Sequence, residues 1–339
     1  AFISEDPQDS NNLLLKKVLL KNAQQKPDVL WNELLSWLFI QQKQYKSAFT
    51  QEKAIIKRSE VPSMERMENL GRIALDDSET EIASDIFAFI VDNARYPRTV
   101  LNAELKRIEI KLLDAAPKEY PAIDKKFQSL LEEYAAIAQT EYLQIAYADF
   151  LTFKKNTPAP AIDLLKANLE PNLDRMTKAK IKMALGDILV FDQKFNQALI
   201  TFTQVQRSLK NDVLGQDARF KVAQTSFYKG DFDWALAQLK VLRSSTSQLI
   251  ANDAMQLSLI ISDNSLEDST QTALKKFARA DLFAYQNKTE EAIQILNDIL
   301  ENHKGEKIED EALLKQGELL EGKGKFEEAK FNYQKIAEI

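Results

Sequence analysis

The residues of this chain that could carry chemistry are few and poorly grouped. Its single histidine, His303, stands in Glu-Asn-His-Lys-Gly-Glu-Lys, which predicts the C-terminal end of a helix followed by Gly305. One histidine cannot build a histidine-rich zinc site, and a protonated imidazole at that place would suit the helix dipole. Cysteine is absent, which excludes disulfides, thiolate metal sites and a cysteine nucleophile. We therefore expect no metal site and no catalytic histidine.

Acidic residues are frequent, but their spacing does not suit paired acid and base catalysis. Adjacent glutamates on a helix point about 100° apart, so their carboxylates diverge. A solvated outer helix face explains such pairs. They are Glu132 with Glu133, Glu290 with Glu291, and Glu327 with Glu328.

Other catalytic or ligand motifs are also missing from the sequence. Residues 262–269 have a calcium-like composition, but they lack the Asp-x-Asp-x-Asp-Gly spacing, so we expect a loop whose Asp268 or Ser269 caps the next helix. No phosphate-binding glycine loop, Gly-x-Ser-x-Gly elbow or His-Glu-x-x-His pattern occurs. The sequence predicts a protein that is not an enzyme and needs no cofactor.

The tryptophans and two Leu-Gly pairs are better explained by packing than by ligand binding. Gly71 and Gly186 are predicted to be packing glycines. Trp31, Trp37 and Trp234 are predicted to fill interfaces between repeats, and Trp37 has the best claim to a groove.

Composition favours helices and a chain extended by repetition. With 339 residues the chain exceeds the size at which one core keeps growing, and only 8 glycines and 9 prolines interrupt it. The net charge of −6 argues against a protein that tracks nucleic-acid phosphates. No apolar run approaches eighteen residues, so no transmembrane segment is expected.

The elements that position any site follow a regular rhythm. Seven times a small residue, which we call the anchor, is followed twelve positions later by alanine. Small residues at both places let two antiparallel helices approach closely. The pairs are Ser36 with Ala48, Gly71 with Ala83, Asp149 with Ala161, Gly186 with Ala198, Ala223 with Ala235, Ala280 with Ala292, and Gly317 with Ala329.

Short turns separate the two helices of each pair. Glycine in these turns can adopt the left-handed conformation that ends a helix, and the following aromatic residue is predicted to plug the hairpin end. The clearest turns end at Tyr45, Phe195, Phe232 and Phe326.

The rhythm also predicts how the chain is divided. The 57 residues between Ala223 and Ala280 are twenty more than one repeat, which predicts an extra helix and a break in stacking. Because the chain begins without methionine and ends inside a predicted outer helix, we expect the last repeats to be truncated and a signal peptide or lipid anchor to be able to precede Ala1. The predicted parts are an irregular lead-in at 1–11, partly degenerate repeats at 12–170, regular pairs at 171–245, the extra helix at 246–270, and C-terminal pairs at 271–339.

The spacing of Leu185-Gly186, Phe195, Ala198 and Phe202 resembles the tetratricopeptide repeat family, from about residue 28 to 339. This resemblance implies an all-α fold, a right-handed superhelical solenoid of antiparallel helix pairs. The family's tryptophan is missing from the best repeats, where Lys182, Arg219 and Leu313 stand. The amino-acid sequences of 217–223 and 228–235 are similar to those of periplasmic repeat proteins of Gram-negative bacteria. The sequences of 250–257 and 278–288 are similar to those of large repeat proteins of Bacteroidota.

In this family the inner helix of each pair lines a concave groove, at positions six and three before the anchor and one, four and five after it. The resemblance therefore implies an aromatic partner-binding groove. Aromatic residues at helical spacing are also common in cores, so burial by neighbouring helices remains the alternative. The implied groove residues are Phe150, Phe153, Met183, Asp187, Phe191, Phe220, Gln224, Phe227, Tyr228, Phe277, Asp281 and Tyr285.

The family's clamp for acidic tails uses lysine three before the anchor and asparagine one after it. Met183 and Asp187 occupy these positions in one repeat, and Phe220 and Gln224 in the next. The predicted groove therefore suits an amphipathic helix or an extended apolar segment instead.

Together these features predict a noncatalytic scaffold that binds partner proteins and no nucleic acid. The resemblance implies a subunit of an outer-membrane assembly complex, located in the periplasm, with peripheral membrane association open. The alternatives are a cytosolic signalling or regulatory module and the repeat region of a larger enzyme.

Overall fold

The computed structural model describes residues 4–26, 28–59, 63–135, 140–170, 172–242, 248–265 and 270–338. Within these ranges every regular element is a helix, which confirms the all-α prediction. The predicted caps at Asp268 and Ser269 lie outside them. The chain forms two compact units, Ala1–Thr140 and Glu141–Ile339. The division into five parts inferred from the sequence stays a prediction.

The described residues of the first unit form seven α-helices. The predicted lead-in ends before residue 11, because Asp9 accepts a hydrogen bond from the Asn11 amide and so caps a helix that begins at Ser10. A 3-10 turn, Pro117–Glu119, precedes the last helix. The helices are α1 (Ser10–Gln25), α2 (Val29–Gln41), α3 (Tyr45–Arg58), α4 (Glu65–Asp76), α5 (Thr80–Asn93), α6 (Pro97–Asp114) and α7 (Tyr120–Glu133).

The second unit contains eleven α-helices within its described residues. A π-helical turn, Phe150–Lys154, follows the first of them directly. The helices are α8 (Glu141–Asp149), α9 (Pro158–Ala167), α10 (Arg175–Phe191), α11 (Phe195–Ser208), α12 (Val213–Lys229), α13 (Phe232–Leu242), α14 (Gln248–Ser265), α15 (Thr272–Tyr285), α16 (Thr289–Asn302), α17 (Ile308–Gly322) and α18 (Phe326–Ile336).

Successive helices pair as antiparallel hairpins. Asn332 of α18 bonds to Gln316 of α17, whereas Lys335, further along α18, pairs with Glu309, which lies earlier in α17. The two helices therefore run in opposite directions. All seven alanines that follow the anchors are at most 2% exposed. The small-to-alanine rhythm therefore marks helix contacts, as predicted.

One predicted anchor is wrong. Asp149 is half-buried, and its neighbour Ala148, which is fully buried, occupies the small packing position. The π-helical turn starts at the next residue and takes more residues per turn than an α-helix. The register inferred from regular repeats is therefore displaced by one residue here.

The turns that follow the seven predicted anchors share one backbone conformation. The residue seven positions after each predicted anchor, Asp149 included, has a positive φ, although only two of the seven are glycine. In six of these turns a hydrogen bond from the next amide reaches back across five residues, as from Lys194 N to Leu189 O. After the π-helical turn, Thr157 N bonds instead to Leu151 O, six residues back. These residues are Lys43, Ser78, Asn156, Gln193, Gly230, Asn287 and Gly324.

The aromatic residues after these turns plug only some hairpin ends. Tyr45 and Phe232 are buried, as predicted, whereas Phe195 is half-buried. Phe326 is 66% exposed, so the prediction is wrong for the last hairpin.

The residues in excess of one repeat after Ala223 form α14. This helix packs against α13 and also contacts α12, α15 and α17. Because α15 still packs directly on α12, the next repeat continues the stack while α14 lies beside it. The extra helix thus adds a wall within the second unit.

Candidate partner-binding groove

The twelve residues predicted to line the groove are more buried than an open aromatic surface requires. Seven are half-buried: Phe153, Asp187, Phe220, Gln224, Tyr228, Asp281 and Tyr285. The other five are buried: Phe150, Met183, Phe191, Phe227 and Phe277. Partner binding by this set stays a prediction.

The reason is that inner-face aromatics of different repeats pack on one another. The Phe153 ring centroid lies 5.2 Å from that of Phe191 and 5.7 Å from that of Tyr285, both edge to face. The Tyr228 and Tyr285 centroids are 6.2 Å apart. These contacts fill much of the inner face with the protein's own side chains.

Hydrogen bonds also hold these parts of the inner face together. Gln286 Nε2 donates to the Phe191 carbonyl at 2.6 Å, and Asn287 Nδ2 donates to the Phe153 carbonyl at 3.0 Å. The Tyr285 hydroxyl donates to the Asp187 carbonyl at 3.1 Å. The C-terminal end of α15 is therefore joined to the ends of α10 and the π-helical turn.

Carboxylates crowd this inner face. Burial raises the pKa of Asp149 to about 7, and the charge of Asp187 adds to the effect. Lys221 Nζ lies 2.9 Å from Asp187 Oδ1. Burial also raises the pKa of Asp217; Asp187 and Asp253 act in the same direction, whereas Lys221 opposes them. The inner face has a surplus of negative charge.

An open groove lies in the second unit between α12, α14, α15 and α17, and we call it the acidic groove. Its volume is about 310 Å³. Apolar side chains line part of it, among them Phe220, Leu257, Ile260 and Leu314. The lining also includes four carboxylates and one lysine: Asp253, Asp281, Glu311, Glu318 and Lys315.

The single lysine of the acidic groove is already paired. Lys315 Nζ lies 2.8 Å from Asp281 Oδ1 and 3.7 Å from Glu318 Oε2. Burial alone would lower the pKa of Lys315, but these two carboxylates outweigh it and the pKa is raised. Burial also raises the pKa of Glu311, with a further contribution from nearby carboxylates that include Glu318.

The acidic groove contains five of the twelve predicted residues, but sequence reasoning missed most of its lining. Asp253, Gln256, Leu257 and Ile260 lie on α14, which has no counterpart in the repeat pattern. The residues on α17 could have been found, because they stand six and three before Gly317 and one after it. These are Glu311, Leu314 and Glu318.

Other sequence predictions have mixed outcomes. Trp37 and Trp234 are 46% and 52% exposed, so the prediction that they fill repeat interfaces is wrong. Trp31 is half-buried, and its indole donates to the Lys26 carbonyl. His303 is the C-cap residue of α16, as predicted, and its Nδ1 lies 2.9 Å from Glu306 Oε1.

All six glutamates of the adjacent pairs are exposed, which fits a solvated outer face. Across the described ranges, no group of three or more His, Cys, Asp or Glu side chains is placed to hold a metal ion. No described helix combines the length and the apolar character needed to cross a membrane.

Comparison with known proteins leaves the family open. No protein-family model matches the sequence, and no curated protein matches it significantly. Among solved structures, the apo quorum sensor NprR from B. thuringiensis aligns over 97% of this chain and 93% of its own, with 13% identity and a TM-score of 0.45. The TPR domain of P58(IPK) aligns over 96% and 91%, with 16% identity and a TM-score of 0.27. Yeast Tom70 aligns over 95% and 87%, with 12% identity and a TM-score of 0.22. These scores are low, and the assignment of the fold depends on the helix hairpins of this chain.

Proposed function

We propose that this protein is a noncatalytic scaffold of the tetratricopeptide type, which holds a segment of a partner protein in the acidic groove. The observation that carries the proposal is the groove itself, where apolar side chains from α12, α14 and α17 remain accessible beside polar ones. Recognition of a peptide segment needs apolar pockets for affinity and polar groups for orientation.

The arrangement of the groove supports a preformed site. Residues three before and one after three successive anchors line it, so neighbouring inner helices present equivalent positions. Buried contacts hold α17 against α18, including a hydrogen bond of 2.8 Å from Asn332 Nδ2 to Gln316 Oε1. A face held by such contacts avoids much of the ordering cost that a flexible binder incurs.

The proposal extends to the cellular setting. We place the partner in an assembly complex of a bacterial outer membrane, and the protein in the periplasm. The support is the similarity of 217–223 and 228–235 to periplasmic repeat proteins of Gram-negative bacteria that serve envelope assembly. Cell fractionation tests this part separately, because recovery of the protein with cytosolic markers alone would contradict it.

Site-specific photocrosslinking in the native organism tests the binding role. A benzophenone amino acid would replace Gln256 or Leu314 in the groove, and Gln197 on α11 as an exposed control. We expect both groove positions to capture the same segment of one partner, and Leu257→Ala to reduce the capture. Equal labelling from Gln197, or capture that Leu257→Ala leaves unchanged, would overturn the proposal.

A further inference from the structure

We infer that the acidic groove selects a basic amphipathic helix, in which lysine or arginine side chains flank an apolar stripe. This inference depends on the proposed function, because it names the chemistry of the partner for the same groove. It goes beyond the sequence prediction, which left an amphipathic helix and an extended apolar segment open and assigned no charge to either.

The charged side chains of the acidic groove favour a ligand that brings positive charge. Lys315 is shared between Asp281 and Glu318. Among the described residues, neither Asp253 nor Glu311 has an ion pair with a cation of this chain. Both line the groove, so a ligand that brings two cations can pair with carboxylates that the protein leaves uncompensated.

Burial strengthens this preference. Burial raises the pKa of Glu311, and Asp310, Asp263 and Glu318 add to the effect. The ionised form of this carboxylate is therefore costly in the free protein. A cation placed beside Glu311 would relieve that cost, and a second carboxylate would increase it. An acidic peptide or a nucleic-acid phosphate is disfavoured for the same reason.

The shape of the groove favours a helix over an extended segment. Its apolar part spans three neighbouring helices, with Phe220 on α12, Phe277 on α15 and Leu314 on α17. Packed helices are about 8–10 Å apart. Side chains seven residues apart on a ligand helix are separated by about 10 Å along its axis. A helix lying across the groove can thus present an apolar anchor to each neighbouring helix in turn.

Three designed peptides test this inference. They share leucines at a helical spacing of three and four residues and differ only in their polar positions, which are all lysine, all glutamine or all glutamate. Binding to the intact chain is measured by fluorescence anisotropy of a labelled peptide. We expect the lysine peptide to bind at least about tenfold more tightly than the glutamine peptide and to lose affinity as salt rises. No binding is expected for the glutamate peptide.

Matched variants separate the groove from the overall charge. The double variant Asp253→Asn with Glu311→Gln should weaken the lysine peptide about tenfold, the scale expected for removing close charge pairs. The control, Asp233→Asn with Glu301→Gln, removes two exposed carboxylates on α13 and α16 and should leave its affinity unchanged. An equal loss in both variants would overturn the inference. Thermal unfolding of each variant checks that the fold is retained.

Truncation of the apolar lining separates failure of the inference from failure of the proposed function. If Leu257→Ala and Leu314→Ala weaken the lysine and glutamine peptides alike, and the two peptides bind equally, the groove binds segments without charge selection and only the inference fails. If no peptide binds the intact chain, both the inference and the proposed function are contradicted.

Discussion

Gly186 of α10 lies directly beneath the ring of Phe202 in α11. A Cβ atom added at Gly186 would stand 2.5 Å from Phe202 Cζ, well inside van der Waals contact. The anchor and the residue sixteen positions later therefore share one fixed volume. Glycine faces an aromatic ring in three repeats, whereas alanine is combined with leucine in two. The pairs are Gly71 with Phe87, Gly186 with Phe202, Gly317 with Tyr333, Ala223 with Leu239, and Ala280 with Leu296.

This shared volume predicts compensation between two substitutions. Gly186→Ala should lower the free energy of unfolding by roughly 1–3 kcal/mol through overpacking. Adding Phe202→Leu should recover most of the loss, because it recreates the pair found at Ala223 and Leu239. Urea unfolding measures both effects. The control is Gly322→Ala, where nothing lies within 4 Å of the new methyl group, and no loss of stability is expected there.

The left-handed turns predict a stabilising substitution. Gln193 has a φ of 55°, a conformation that costs about 1–2 kcal/mol for residues with a side chain. Gln193→Gly should therefore raise the free energy of unfolding by about 0.5–1 kcal/mol, after the added flexibility of the unfolded chain is subtracted. Thermal unfolding measures the change. In the reverse test, Gly230→Ala at φ 82° should lower stability by about 1 kcal/mol although its nearest neighbour is 3.9 Å away. A destabilised Gln193→Gly would contradict this account.

Asp149 predicts that stability falls as pH rises toward neutrality. Its folded pKa is about 7, above the unfolded value near 4, so the folded state retains a proton that the unfolded chain releases. The contribution is complete below about pH 4 and is lost as pH rises to about 7. Asp149→Asn should remove this loss and stabilise the protein at pH 7 by on the order of 2 kcal/mol. Urea unfolding from pH 5 to 8 provides the test, with exposed Asp233→Asn as the control.

The first repeat replaces the glycine and ring pair with a buried polar network. Glu52, only 2% exposed, accepts a hydrogen bond from Ser36 at 2.5 Å and two from Arg66 at 2.9 and 2.8 Å. Arg66→Met should destabilise the protein by on the order of 2 kcal/mol, because it leaves a buried carboxylate without its cation. Adding Ser36→Ala and Glu52→Leu should restore stability in denaturant unfolding. If Arg66→Met alone has no effect, this network does not support the hairpin.

Much of the fold could be predicted from the sequence because its packing is local. The contact between Gly186 and Phe202 joins residues only sixteen apart, and the small residue needed at each helix contact recurs in phase. The same phase correctly indicated inner positions such as Phe220 and Asp281, which line the acidic groove. The left-handed turns were recognisable only at Gly230 and Gly324, because Lys43 and Gln193 adopt them without glycine.

Exposure of the inner face was decided by the tertiary structure. Phe153 and Tyr285 are far apart in sequence, yet their ring centroids lie 5.7 Å apart and the two rings cover part of the predicted aromatic surface. Such a contact depends on the relative orientations of all the helices between the two residues. The spacing of residues within one repeat says little about these orientations. The position of α14 beside α12, α15 and α17 likewise depends on long-range packing. The sequence by itself therefore determined the hairpins and their phase, while only the tertiary structure decided which inner side chains a partner can reach.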